Sequence, residues 1–154
     1  MTIEISQSSH LIGSSEVSIV LASASITRRN LLESAGVPHI VEASRVDEKT
    51  IKIDLQANGA SGSEIAEVLA KAKAVYVSRK HPEKMVLGGD QVLECNGEIF
   101  SKPVDRDDAL RQLQTLRGNC HSLISYAVMV RGGQQIWRAV DRATLQIRAN
   151  ASDD

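Results

Sequence analysis

The chain has 154 residues, of which 42% are apolar and 24% charged, and this fits one globular domain with a hydrophobic core. A net charge of −1 and an aromatic content of only 3% argue against a nucleic-acid-binding protein. No apolar run is as long as a membrane span and the two cysteines are too few for a disulfide framework, so we expect a cytoplasmic protein. We predict a flexible N-terminal extension over residues 1–16 and a single domain over residues 17–154.

The first predicted unit of the domain is a strand, a loop and a helix between Val17 and Ala35. The run from Ile19 to Leu21 has the β-branched and aliphatic character of a buried strand. Leu31 and Leu32 belong to a helical apolar pattern, and Gly36 supplies a stop signal behind it.

Hydroxyl and basic side chains fill the loop between this strand and this helix. Ser23, Ser25 and Thr27 lie beside unpaired backbone N–H groups at the positive end of the helix, with Arg28 and Arg29 in its first turn. A phosphate group would fit this loop. In the structural alternative, a serine only caps the helix and both arginines are solvated.

A short strand at residues 39–43 and a polar loop at residues 44–50 follow, and the loop carries the adjacent acids Asp47 and Glu48. Ser61 and Glu64 then have the spacing of a capping box, so we predict a helix from Ser61 to about Arg79. Lys71 and Lys73 are expected on the flanks of this helix. Its predicted core-facing residues are Ile65, Val68, Leu69, Ala72 and Tyr76.

A glycine pair divides the next apolar segment. We predict a short strand at residues 85–87 that stops at Gly88 and Gly89, and a new strand from Gln91 to Cys95. The dipeptide at residues 96–97 is Asn-Gly, which indicates a hairpin returning through residues 98–101.

The remaining predicted elements are one helix and two long strands. Asp105 caps the helix, Gly118 ends it, and the strands cover residues 122–130 and 135–148. Strands and helices alternate along the whole domain, which predicts an α/β fold with a mixed sheet and flanking helices.

Cys120 and His121 are adjacent and so point to opposite faces of a strand. We expect a buried thiol beside a partly exposed histidine rather than a catalytic pair.

Three polar segments lie where predicted strands end, at residues 23–28, 89–91 and 101–103. Such positions bind ligands in open α/β sheets. Asp90 follows two glycines, and its carboxylate could ligate a divalent cation or accept a proton from water. Alternatively, Asp90 only organises a turn. The sequence contains no P-loop, dinucleotide-binding or zinc-binding motif.

Several segments, taken in order and spacing, resemble the Maf family of nucleoside triphosphate pyrophosphatases. They are LASASITRRNLL from residue 21, VDE from 46, LAKAKA from 69, GGDQV from 88, SKP from 101 and LRGNCH from 116. This family shares the fold of the inosine triphosphate pyrophosphatases. The resemblance implies hydrolysis of the α–β phosphate bond of nucleoside triphosphates with release of pyrophosphate, and a role in nucleotide house-cleaning and septum formation.

The resemblance also implies roles for individual residues and a divalent metal cofactor, Mg²⁺ or Mn²⁺. Ser23 and Arg28 would bind phosphate, with Ser25 and Thr27 beside them. Glu48 and Asp90 would serve the metal and the attacking water, and Asp90 is the expected proton acceptor. Lys73 and Lys102 would neutralise the negative charge of the triphosphate.

The sequence departs from the family pattern at two places. Ile26 stands where family members usually have proline, and the segment that follows Arg148 in the family is missing, so the chain is expected to be a fragment or a natural truncation of the Maf-like fold. Apolar surface left uncovered by that loss favours a homodimer.

Two alternatives to the pyrophosphatase stay open on the sequence alone: a nucleotidyltransferase and a non-catalytic, nucleotide-binding regulator of cell division.

The resemblance also bears on the preferred base. The family branch that acts on dTTP and UTP tends to have arginine and threonine where this chain has Thr27 and Gln91. The resemblance therefore favours 7-methyl-GTP, and the Gln91 amide can both donate and accept hydrogen bonds at a base edge.

Overall fold

The computed structural model describes residues 18–153, so the predicted extension over residues 1–16 lies outside the described residues. The strands are β1 Ile19–Leu21, β2 His39–Val41, β3 Val86–Cys95, β4 Glu98–Phe100, β5 Cys120–Arg131 and β6 Gln134–Gln146. The helices are α1 Ile26–Ser34, α2 Glu48–Ala57, α3 Gly62–Ser78 and α4 Arg106–Leu116. Within residues 18–153, no helix has the length and hydropathy needed to cross a bilayer.

All six strands form one mixed sheet, as the sequence predicts. Its order is β2-β1-β3-β5-β6, with β4 paired to the far end of β3. Strand β1 is parallel to β2 and β3, whereas β3 is antiparallel to β4 and β5, and β5 to β6. Helix α3 packs on one face of the sheet and buries most of the core. The buried residues of this core include Val20, Ile65, Leu69, Val77, Val86 and Val128.

Strand β3 does not stop at the glycine pair, and here the prediction of two separate strands was wrong. Gly88 and Gly89 both pair with β5 inside a continuous ten-residue strand. A Cβ on Gly88 would lie 2.2 Å from the carbonyl oxygen of Ala70 and 2.8 Å from Cβ of Ala74. Gly88 is therefore needed because α3 lies unusually close to the sheet, rather than because the chain turns.

Helix α2 begins at Glu48, inside the segment 44–50 that the sequence predicts to be a loop, so this prediction was wrong. Asp47 caps this helix by accepting hydrogen bonds from the backbone N–H (3.1 Å) and the hydroxyl (2.8 Å) of Thr50. Ile51 and Leu55, one turn apart, pack against the core. The polar first turn concealed an apolar spacing that begins only at Ile51.

Helix α3 starts with the predicted capping box of Ser61 and Glu64. Ile65 and Leu69 are buried as predicted, but the rest of its buried face differs from the predicted one. Val68 is 39% exposed, whereas Ala66, Ala70 and Ala74 are fully buried. The alanines lie on the buried face because only small side chains permit the close approach of α3 to Gly88.

The prediction for Cys120 and His121 was also wrong, because the thiol is exposed and the histidine is buried, the reverse of what was expected. Cys120 is exposed and His121 is 8% exposed, with its Nδ1 unpaired within the described residues. Register on β5 decides this point: His121 faces the interior and its neighbour faces solvent.

The face of the sheet opposite α3 is much less covered. Helix α1 lies there without a single buried residue, and Leu31 is 65% exposed. Trp137 on β6 is 51% exposed. An open, partly apolar surface thus borders α1, and it forms part of the candidate site.

Candidate active site

A buried lysine joins two acids from different elements. Lys73 of α3 lies 2.7 Å from Oδ1 of Asp90 on β3 and 2.9 Å from Oε2 of Glu48 in the first turn of α2. Lys73 and Asp90 are only 7% and 8% exposed, while the Glu48 side chain is half exposed. Glu48 therefore forms the solvent side of this cluster, which we call the acid–lysine cluster (Glu48, Lys73, Asp90).

Lys73 was expected on a flank of its helix, but it lies on the buried face. The missed helix α2 explains how Glu48 arrives there, because its first turn projects toward α3. Burial raises the pKa of the Asp90 carboxyl above its ordinary range, an effect that the hydrogen bond and charge of Lys73 partly offset and the charge of Glu48 reinforces. A carboxylate of raised pKa is a better proton acceptor than an ordinary aspartate.

The loop between β1 and α1 is organised around Ser23. Its Oγ accepts hydrogen bonds from the backbone N–H of Ser25 (3.1 Å) and from the Arg28 guanidinium (3.2 Å). Ser25 caps α1 by accepting a weak bond from the N–H of Arg28 (3.4 Å). The cap foreseen in the structural alternative is thus present, but Arg28 is held against the loop, whereas Arg29 is exposed.

The acid–lysine cluster and this loop meet at an opening in the sheet. On one edge, β3 pairs with β1 only through Val86 and Leu87, and with β4 only from Leu93 onward. Among the described strands nothing pairs with that edge between Gly88 and Val92. The loop with Ser23 and Arg28 begins where β1 ends, so the Arg28 guanidinium lies beside this opening.

The two faces of β3 present different chemistry at the opening. Asp90 points toward α3, in line with the contact to Lys73, whereas Gly89 faces α1: its Cβ would lie 3.2 Å from Nε of Arg28. Gln91 therefore lies on the α1 face, opposite to Asp90. The sequence predicts both side chains at one strand end, whereas the structure places them on opposite faces of the sheet.

A cavity of about 520 Å³ lies on the α1 face. Thr27 and Arg28 border it from α1, and its other walls come from β3, β5 and β6. The Gln91 amide donates to Oγ of Ser125 at 2.8 Å within it. This volume lies in the range of small-molecule sites in proteins.

Lys102, predicted as a triphosphate ligand, is an exposed residue of the segment between β4 and α4. A second lysine, Lys52, was not foreseen. Its ammonium donates to the carbonyl of Phe100 (3.1 Å) and to Oγ of Ser101 (2.7 Å), and thereby ties α2 to the segment that carries Lys102. Burial lowers the pKa of Lys52, and the charge of Asp90 partly offsets this effect. The only sequence signal was its position one turn after Glu48.

The donor set suits a magnesium or manganese ion. Glu48 and Asp90 direct oxygens to the same ammonium group, so the two carboxylates converge, and Mg²⁺ commonly binds one or two carboxylates together with substrate phosphates. Across residues 18–153, no group of three or more His, Cys, Asp or Glu side chains has the arrangement of a complete metal site. Phosphate oxygens would have to complete the coordination.

A family model described as Maf-like protein matches residues 18–154. The chain belongs to this family. A relative from Ruegeria sp. (strain TM1040), named nucleoside triphosphate pyrophosphatase, is 50% identical over 135 residues, 88% of this chain and 67% of that protein. A relative from Brucella abortus biovar 1 (strain 9-941), named 7-methyl-GTP pyrophosphatase, is 41% identical over 132 residues, 86% of this chain and 66% of that protein. This Maf-like chain thus spans about two thirds of the length of these curated relatives.

Solved structures with the same fold are more distant in sequence. A HAM1 protein from Coxiella burnetii is 13% identical with a TM-score of 0.51, and the match covers 83% of this chain and 70% of that one. A nucleoside-triphosphatase, dITP/XTP pyrophosphatase, from Mycobacterium abscessus is 17% identical with a TM-score of 0.51, covering 88% and 76%. These likenesses confirm the predicted fold class of the Maf-like chain.

Proposed function

We propose that this protein is a metal-dependent pyrophosphatase that cleaves the α–β phosphate bond of nucleoside triphosphates to a monophosphate and pyrophosphate. The observation that carries the proposal is the acid–lysine cluster beside the Arg28 loop at the opening of the sheet. A triphosphate needs cations to stabilise its leaving pyrophosphate and a base to orient water, and these residues supply both. The names of the Ruegeria and Brucella relatives support the same reaction.

The residues divide the work according to their positions. Arg28 and the N–H groups at the start of α1 bind phosphate oxygens. Asp90 accepts the proton of the attacking water, and Lys73 holds the Asp90 carboxylate in place at 2.7 Å. Glu48 and Asp90 would hold the divalent metal, whose charge would stabilise the negative charge that develops on the phosphates. Lys52 and Lys102 add positive charge from the other side of the opening.

The deciding experiment is a product analysis. The protein is incubated with canonical and modified nucleoside triphosphates in the presence of Mg²⁺ or Mn²⁺, and pyrophosphate and inorganic phosphate are measured separately. We expect one pyrophosphate for each monophosphate formed. Inorganic phosphate as the first product would contradict the proposal, and a requirement for a second substrate would point to nucleotidyl transfer.

Arg28→Ala should raise the KM for the nucleotide, because the substitution removes a guanidinium from the phosphate-binding loop. A charge-assisted hydrogen bond contributes about 1.5–3 kcal/mol, so the expected rise is roughly tenfold to a hundredfold. Steady-state kinetics measures it. Arg29→Ala is the matched control, since Arg29 is the exposed neighbour on the same helix turn. Equal KM values for both variants would place the phosphates elsewhere.

For the base, we expect 7-methyl-GTP to be cleaved with a higher kcat/KM than dTTP or UTP. Gln91 and Ser125 form a hydrogen-bonded pair in the α1-face cavity, and the amide has a donor and an acceptor not used by other side chains of residues 18–153, which leaves them for a purine edge. Competition between 7-methyl-GTP and dTTP in one reaction measures the ratio. Faster cleavage of dTTP and UTP would overturn the preference while leaving the reaction type standing.

A further inference from the structure

The α1-face cavity contains a carboxylate that the proposed reaction does not use. Asp141 of β6 borders this cavity, and it pairs in register with Ser125, which in turn pairs with Gln91. Directly paired residues of antiparallel strands point to the same face, so Gln91, Ser125 and Asp141 form one polar row across three strands. Two residues further along, Gly89, Ala127 and Ala139 form a parallel row on the same face.

These two rows give the cavity a floor and a polar edge. The second row carries at most methyl groups, so the floor beside the Gln91–Ser125–Asp141 row is low and accessible to a planar ring. Adjacent strands lie about 4.8 Å apart, so Asp141 on β6 is roughly 10 Å from Gln91 on β3. A planar base that lies on this floor can therefore contact Gln91 or Ser125 at one edge and Asp141 at the other.

Asp141 is available to a ligand. It is an exposed residue, and its Oδ1 accepts a hydrogen bond from the backbone N–H of Arg142 at 2.9 Å, which leaves its other oxygen unused by any hydrogen bond among residues 18–153. The Arg142 side chain reaches Ser122 instead, and Arg138 pairs with Glu67. Arg28 borders the same cavity from above β3, two strands away from Asp141.

We infer that Asp141 selects a positively charged purine, and so makes this chain prefer 7-methylguanine nucleotides to their unmethylated forms. This inference rests on the proposed function of the same site. Methylation of guanine at N7 places a delocalised positive charge on the imidazole ring, and an unmethylated purine carries none. A carboxylate at the edge of a partly enclosed cavity attracts the methylated base, while Gln91 and Ser125 can contact either base equally.

The test compares Asp141→Asn with the parent chain in a slightly acidic buffer, in which N1 of the methylated ring keeps its proton. We expect the ratio of kcat/KM for 7-methyl-GTP over GTP to fall roughly twofold to fivefold, the effect of one solvent-exposed charge pair. Asp141→Glu should retain most of the ratio. Asp107→Asn on the exposed first turn of α4 is the matched control for net charge.

Binding of the monophosphates separates this inference from the proposed reaction. Calorimetry with 7-methyl-GMP and GMP requires no turnover, and we expect Asp141→Asn to lower the preference for 7-methyl-GMP by the same factor. An unchanged preference, or an equal fall in Asp107→Asn, would overturn the role of Asp141. Absence of pyrophosphate release by the parent chain would instead overturn the proposed function, whatever the calorimetry gives.

Discussion

Asp90→Asn is expected to lower the rate of pyrophosphate release by about 10²–10⁴, the usual cost of losing a positioned base. Asparagine preserves the size of the side chain and can still accept a hydrogen bond from Lys73, so the fold should persist. The amide lacks the basic oxygen that would take a proton from water. Single-turnover kinetics with saturating nucleotide measures the chemical step, and equilibrium binding measures whether the nucleotide is still held.

A neighbouring acid provides the control for this variant. Asp47→Asn removes a charge next to Glu48 but keeps the cap of α2, because asparagine caps helices as well as aspartate does. We expect Asp47→Asn to turn over at nearly the parental rate. Parental turnover by Asp90→Asn would mean that another group accepts the proton and that Asp90 is a structural residue of β3.

Gly88→Ala is expected to destabilise the fold by about 1–3 kcal/mol, as overpacking of a well-packed core does. The added Cβ would lie 2.2 Å from the backbone oxygen of Ala70, and a helix backbone cannot move aside as a flexible side chain can. Helix α3 would have to shift away from the sheet and carry Lys73 with it. Urea unfolding followed by circular dichroism measures the change.

Gly89→Ala separates this steric effect from the general effect of replacing a strand glycine. Its added Cβ would meet Nε of Arg28 at 3.2 Å, and this long side chain can adjust. We therefore expect Gly89→Ala to unfold close to the parental urea concentration but to bind nucleotide more weakly. A Gly88→Ala variant as stable as the parent would show that α3 and β3 are not as tightly apposed as described.

Elements whose chemistry is local could be predicted from the sequence. The capping box of Ser61 and Glu64 is formed as expected. The hairpin turn at Asn96 and Gly97 has both residues at positive φ, 51° and 81°, which is why this dipeptide is a reliable signal. In each case the residues that cause the structure lie within four positions of one another.

Features that depend on distant packing could not be predicted. The continuity of β3 depends on Gly88 facing α3, and the sequence does not reveal which helix approaches which strand. Within the candidate site, the family resemblance implies that Glu48, Lys73 and Asp90 act on one substrate, and the structure brings the three side chains together. The separation of Gln91 from Asp90, and the positions of Lys52 and Asp141, follow from strand pairing and from a helix that the sequence analysis had missed.

The opening in the sheet has a consequence for how such a protein can change over evolution. Under the proposed function, the base lies on the α1 face and the bond to be cleaved lies on the α3 face, so the phosphate chain passes the edge of β3 between them. Substitutions at Asp141 or Ser125 would then alter which nucleotide is accepted without disturbing the packing that positions Lys73 and Asp90. Libraries confined to the α1 face should therefore yield variants with new base preferences and undiminished stability.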